Sequence, residues 1–152
     1  HGRSTDMHEN PVPTVDVIIN EDDRIVLIRR GQDPFVGKLA LPGGFVEYGE
    51  TVEQAAIREV KEETNLEIRL VDLLGVYSNP NRDPRKHTIS TVFIAEPLKG
   101  NLRGGDDAAD AAWFSLSAID LSLLAFDHSQ IVRDMIDWMD YGRTSWSTKG
   151  EN

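Results

Sequence analysis

Apolar residues recur along this chain in two different periods. Residues 12–19 (Val-Pro-Thr-Val-Asp-Val-Ile-Ile) are dense in β-branched side chains and predict a strand. The polar cluster Asn20, Glu21, Asp22 and Asp23 predicts a turn, with residues 24–30 as the strand that returns from it. Residues 31–38 form a loop, and Leu39, Ala40 and Leu41 a short strand. Residues 67–77 alternate as a long strand. Residues 78–86 hold two prolines among several turn formers, so they cannot lie inside a strand. Residues 87–95 predict the next strand, Gly104 to Asp107 a turn, and residues 111–114 a short strand. Elsewhere the period lengthens. From Thr51, a good N-cap, residues 51–66 predict a helix in which Ile57 and Val60 face the body of the domain. Residues 115–124 predict a helical turn. Residues 127–139 predict a terminal helix with Ile131, Met135, Trp138 and Met139 on one core-facing stripe. Strands on both sides of a central helix, with another helix at the end, predict an α/β fold with a mixed sheet covered on two faces. The periodicity leaves the strand order open.

Composition narrows this picture. A chain of 152 residues with 39% hydrophobic content fits one domain with a proper core, placed at residues 7–140. Residues 1–6 precede Met7 and read as a tag remnant, and the polar tail at 141–152 is expected to be flexible and frayed. The absence of cysteine removes any disulfide framework or Cys-based zinc site and fits a cytoplasmic location. No apolar run approaches the ~20 residues needed to span a membrane, so no membrane partner is expected. The net charge of −10 argues against nonspecific nucleic-acid binding. It also means that an anionic small molecule would need metal ions and local arginines.

The predicted central helix carries the chemistry. Glu59, Glu62 and Glu63 fall at i, i+3 and i+4 and share one face, with Glu50 just before the helix and the Pro42-Gly43-Gly44 turn before that. Like charges at this spacing cost a few tenths of a kcal/mol per pair, roughly, so helix stability alone does not favour them. A solvated acidic face is one reading; a site for a hard, oxygen-seeking dication is the other. The direct succession on a Gly-Gly turn and the presence of Arg58 beside Glu59 favour the metal. The stretch resembles the Nudix box, G-x5-E-x7-R-E-U-x-E-E-x-G-U with U bulky and aliphatic. It matches at Gly44, Glu50, Arg58, Glu59, Val60, Glu62, Glu63 and Leu66, and departs at Asn65, where the family has glycine. Asparagine tolerates left-handed backbone well, so the helix stop survives.

The resemblance implies a Nudix-type α/β/α sandwich with a mixed central sheet, and hydrolysis of a nucleoside diphosphate linked to another group. It implies Mg²⁺, or Mn²⁺, held by Glu59 and Glu63, with Glu62 and Glu50 as further ligands or outer groups and Gly43 adding a carbonyl. Arg58 would orient Glu59. Glu59, Glu62 or a residue outside the box would serve as base, and Asp106 and Asp107 are candidates that are otherwise ordinary turn residues. Residues 77–88, 34–38 and 124–128 resemble segments of small ADP-ribose pyrophosphatases of this family, which points to ADP-ribose as substrate and a homodimer as assembly. Arg82, Arg85 and His87 can then contact phosphate or ribose, and Phe126 a base. The alternatives are a loop salt bridge, a satisfied strand-end histidine and a core aromatic, and for Phe126 the core is favoured. Arg29 and Arg30 are either a solvent-facing pair or include a phosphate ligand, with Arg30 taken as the candidate. Oxidised nucleoside triphosphates or other nucleotide sugars, and a non-catalytic ADP-ribose sensor, are the competing readings.

Overall fold

The computed structural model describes residues 8–103 and 108–151. Strands β1 (Val12–Glu21), β2 (Arg24–Arg30), β3 (Leu39–Ala40) and β4 (Gly43–Phe45) precede helix α1 (Val52–Thr64). Then come β5 (Glu67–Tyr77), β6 (Thr88–Lys99), β7 (Ala108–Ser115), helix α2 (His128–Tyr141) and β8 (Ser145–Trp146). The sheet runs β3-β2-β1-β6-β5-β8, with β4 added to β1 and β7 to β2. β1 pairs in parallel with β6 from Val12↔Thr88 to Ile19↔Ala95, while β5 runs antiparallel to β6, so the sheet is mixed.

Strand alternation sorts the core into two layers. Val15, Val17 and Ile19 of β1 join Phe93 and Ala95 of β6 against Ala55, Ala56 and Val60 of α1. Ile18 joins Val92 and Ile94 against Ile131, Val132 and Met135 of α2 on the other face. A strand buried on both faces reads as a nearly continuous apolar run, which is why residues 12–19 are so rich in valine and isoleucine. The α/β/α arrangement anticipated from the sequence is present.

Helix α1 is capped at both ends by local chemistry. Thr51 accepts from the Gln54 amide while the Gln54 side chain accepts from the Thr51 amide. Asn65 ends the helix in left-handed backbone at φ 67°, its amide bonded to Lys61 O, and its side chain reaches Asn101 O. The buried stripe of α1 is Ala55, Ala56, Val60, Glu63 and Thr64, and Ile57 is 44% exposed, one position off it. The expectation for Ile57 is therefore corrected. In α2 the stripe is His128, Ile131, Val132 and Met135 with Trp138 partly buried, whereas Met139 faces solvent.

The tail is also corrected. Ser145 and Trp146 pair in parallel with Gly75 and Val76, and Ser147 Oγ accepts from the Ser78 and Asn79 amides. A side chain at position 75 would collide with Ser145 O, so glycine lets the tail dock. Its polar composition concealed this because the bonds are made by backbone and one hydroxyl. Among the described residues, no helix is long and apolar enough to cross a membrane.

Candidate active site

The Gly-Gly turn is a seat for two glutamates. Gly43 N–H donates to Glu63 Oε1 at 2.8 Å, and Glu63 is buried. A β-carbon on Gly44 would lie 2.5 Å from the Glu59 carboxyl carbon, and one on Gly43 would lie 2.1 Å from Val15 O. Both positions are glycine because something else occupies the space. β4 holds this turn on the central strand β1 through Val15↔Gly44 and Asp16↔Gly43. The three glutamates that share one helical face are thus graded: Glu63 innermost, Glu59 at 15% side-chain exposure, Glu62 at 49%.

Arg58 ties the outer acids together. Its Nε and Nη2 bind both oxygens of Glu50 at 2.5 and 2.9 Å, and Nη1 reaches Glu59 Oε2 at 3.0 Å and Glu62 Oε1 at 3.2 Å. Nη2 also donates to Phe45 O. The hydrogen bond from Arg58 pulls the Glu50 carboxyl from its ordinary value of 4.5 to about 2. Glu50 in turn holds the guanidinium above its usual range. Both Glu50 oxygens are committed to Arg58, which is the arrangement of an orienting group. The donor set around Gly43 and Gly44 is all oxygen, the chemistry that suits a hard dication. Among the described residues, no three acidic or histidine side chains converge into a ready-made cage. The guanidinium bridges the outer ones.

The arginines divide. Arg82 is buried and fully engaged: bidentate to Asp127 at 2.9 and 2.7 Å, to Thr88 Oγ1 at 2.9 Å and to Asp16 Oδ2 at 3.3 Å. Its expected role as a phosphate contact gives way to one as a strut between the 78–87 segment, β1 and the start of α2. Burial raises the Asp16 carboxyl, but His128, Arg82 and Ser90 outweigh it and hold it below the ordinary range. Leu41 N–H donates to His128 Nδ1, which leaves Nε2, 3.4 Å from Asp16 Oδ1, to carry the ring proton. Arg85 is half-exposed, braced by Asp83 at 2.8 Å, with its guanidinium 5.5 Å from the Phe45 ring and 5.9 Å from Phe126. Arg30 donates to Pro34 O at 2.6 Å and lies 4.9 Å over Phe126. His87 bonds Ser78 O at 2.9 Å and does not line the clefts that hold the glutamates, so it is a strand-end brace. Phe126 is half-buried: it packs against the small core cluster of Ile28, Ala40 and Ala125 and also lines a cleft wall. Asp106 and Asp107 lie outside the described residues.

Adjoining clefts string these groups together. One holds Glu47, Glu59, Glu63, Arg30 and Arg85; the next shares Glu63 and both arginines and adds Thr14, Asp16 and Phe126. Thr14, Asp16, Phe45 and His128 were not singled out from the sequence. The signal available was Thr14 and Asp16 alternating on one face of an otherwise apolar strand. Thr14 Oγ1 is buried and, among the described residues, has no hydrogen-bond partner.

The profile of the NUDIX domain matches residues 10–139. The chain belongs to the NUDIX family. An ADP-ribose pyrophosphatase from Methanocaldococcus jannaschii is 52% identical to this NUDIX chain over 132 residues, 87% of this chain and 77% of the relative. The fold superposes on a NUDIX hydrolase from Nitrosomonas europaea with a TM-score of 0.80 at 26% identity, covering 91% of this chain and 77% of that one. It also superposes on a bifunctional NMN adenylyltransferase/ADP ribose pyrophosphatase from Francisella tularensis, complexed with AMP and an Mn ion. There the TM-score is 0.75 at 31% identity, over 88% of this NUDIX chain and 43% of the larger protein.

Proposed function

We propose that this NUDIX chain is a Mg²⁺-dependent pyrophosphohydrolase that cleaves ADP-ribose to AMP and ribose 5-phosphate. One observation carries the reading: Glu63 on the Gly43 amide and Glu59 against Gly44 open into the cleft walled by Arg30 and Arg85. Carboxylates beside cations within one cleft suit an anionic diphosphate that arrives with its metal. The similarity to the Methanocaldococcus enzyme supports ADP-ribose, and the Mn ion of the Francisella structure supports a divalent ion.

Glu59 and Glu63 are the residues that would hold the ion, with Glu62 completing the set and Gly43 offering its carbonyl. A divalent ion bound there would lower the pKa of water and neutralise phosphate oxygens. Arg58 fixes Glu59 and Glu62 in place, and Glu50 fixes Arg58. Where Glu62 does not serve as a ligand it is a candidate for the base that takes the proton of the attacking water, being 49% exposed, and Asp106 and Asp107 are the candidates outside the box. Arg85 and Arg30 offset the charge of the diphosphate as the phosphorus–oxygen bond breaks. A cytoplasmic location and a homodimer belong to the same proposal. Exposed Val71 and Leu73 on β5 and exposed Ile136 and Met139 on α2 are apolar surface that such pairing could cover, readable by light scattering.

The test is a panel of ADP-ribose, NADH, nucleotide sugars and nucleoside triphosphates with Mg²⁺ or Mn²⁺, read by product release. ADP-ribose should be preferred, and Glu59→Gln should cut turnover by orders of magnitude without loss of fold. Preferred turnover of triphosphates would refute the substrate. Tight ADP-ribose binding with no turnover of any diphosphate would make the chain a sensor.

A further inference from the structure

The β5–β6 ladder closes at Tyr77↔Ser90, so the backbone leaves the sheet at Ser78 and Asn79. One hydroxyl takes over there. Ser147 Oγ accepts from Ser78 N–H at 2.8 Å and from Asn79 N–H at 3.2 Å. Ser147 is itself held from two sides. Before it in the chain, Ser145 is buried, and Ser145 and Trp146 pair with Gly75 and Val76. From α2, Gln130 Nε2 donates to Ser147 O at 3.0 Å.

From Asn79 the bonding continues toward the cleft. Asn79 O accepts from Arg82 N–H at 3.0 Å and Asn79 Oδ1 from Asn81 N–H at 2.9 Å, which closes a turn. Asp127 and Asp16 lock the Arg82 side chain. Asp83, buried beside it, accepts from the Arg85 amide at 2.9 Å and from its Nε at 3.1 Å. Arg85 then lines the cleft that holds Glu59 and Glu63. The bonds to Ser147 add little to stability. Ser78 is half-buried and Asn79 exposed, so water can take the place of the hydroxyl on both amides. A water would not fix their direction. A hydroxyl anchored by a strand and by Gln130 does.

We propose that Ser147 is a positioning residue for the substrate. The segment after α2 braces the start of the 78–87 segment and so sets where Arg85 stands in the cleft. Ser147 lies beyond residues 10–139, the span that the NUDIX profile matches, so the brace is an addition to the matched pattern. This rests on the reading of Arg85 as a contact of the diphosphate.

The experiment compares wild type, Ser147→Ala, Ser147→Thr, Arg85→Ala and the double variant Ser147→Ala/Arg85→Ala in the full chain. It measures kcat/KM for ADP-ribose with Mg²⁺, amide hydrogen exchange at Arg82 and Arg85, and thermal melting. Loss of placement in Ser147→Ala should lower kcat/KM about fivefold, part of the roughly hundredfold that a full 1 Å shift costs. Exchange at Arg82 and Arg85 should quicken about threefold or more, while the melting temperature falls by less than about 4 °C. Ser147→Thr keeps the hydroxyl and should restore both rate and exchange. With Arg85 already removed, Ser147→Ala should cost less than about 1.5-fold, because the brace then has nothing to place. A serine that only stabilises the fold would give the same loss in both backgrounds. That result, wild-type kcat/KM in Ser147→Ala, unchanged exchange, or a fully active Arg85→Ala would each overturn the brace and leave the hydrolase reading intact. A wild type with no ADP-ribose turnover overturns both.

Discussion

Two adjacent glycines provide the sharpest test of the site, because adding one methyl group at each should fail in a different way. In Gly44→Ala the new β-carbon falls 2.5 Å from Glu59 Cδ and 2.5 and 2.7 Å from its oxygens. Ordinary carbon contact needs about 3.5 Å, so the carboxylate must retreat by about 1 Å. It is the far end of a flexible side chain, and it can move without disturbing the backbone. The melting temperature should change by less than about 2 °C, helped by the lower unfolded-state entropy of alanine. Catalysis should not be spared. The displaced group is the glutamate proposed as a metal ligand, bonded to Arg58 at 3.0 Å, and a 1 Å misplacement costs about a hundredfold in rate. In Gly43→Ala the β-carbon meets Val15 O at 2.1 Å and Asp16 Cα at 2.9 Å. Both are backbone atoms of β1, held by β4 on one edge and β6 on the other, and cannot retreat. Overpacking of that kind costs about 1–3 kcal/mol or more, a fall of roughly 2–12 °C in melting temperature. The assay is ADP-ribose hydrolysis with Mg²⁺ at saturating substrate, paired with thermal melting of both variants. A Gly44→Ala enzyme with wild-type kcat, or one that unfolds as readily as Gly43→Ala, would refute the placement of Glu59.

Three further outcomes follow from the same geometry. Arg82→Met leaves Asp16 and Asp127 without their buried counter-charge and should cost about 3–5 kcal/mol, seen as a fall of at least about 6 °C in melting temperature; a shift under about 2 °C would mean that the guanidinium is solvated. Thr14→Val removes a buried hydroxyl with no partner among the described residues, so stability should hold or rise by about 1 kcal/mol while KM for ADP-ribose rises severalfold. A marked fall in melting temperature would show that the hydroxyl is already bonded within the protein. The Glu50 carboxyl is depressed from 4.5 to about 2, so what its bond to Arg58 contributes is complete above 4.5 and is lost as pH falls toward 2. The gap in melting temperature between wild type and Glu50→Gln should therefore be constant near neutrality and close across that acidic window. A gap that shrinks between about pH 8 and 6 instead would point to a histidine rather than Glu50.

Much of the fold was legible because it depends on local pattern. The strand at Glu67–Tyr77 coincides with its alternation, Thr51 caps α1, and Asn65 ends it in the left-handed backbone that replaces the family glycine. The helical period by itself put Glu59, Glu62 and Glu63 on one face. It could not rank them, since their burial is set by what lies opposite: the Gly43 amide for Glu63, the bare α-carbon of Gly44 for Glu59, solvent for Glu62. Ile57 and Met139 were misplaced because a one-residue rotation of a helical stripe changes little in the sequence and much in the packing. Arg82 and Arg85 look alike in a Pro-Asn-Arg-Asp-Pro-Arg loop. Only the tertiary structure brings Asp16 and Asp127 to the first and leaves the second facing the cleft. The same holds for Phe35 and Phe126 and for Ser145 docked on Gly75. The sequence by itself determined the main elements, the acidic face and the family, because short-range periodicity and covalent spacing encode them. Which charges are neutralised, which rings meet and which cavities open depend on partners distant in the chain, and folding alone decides them.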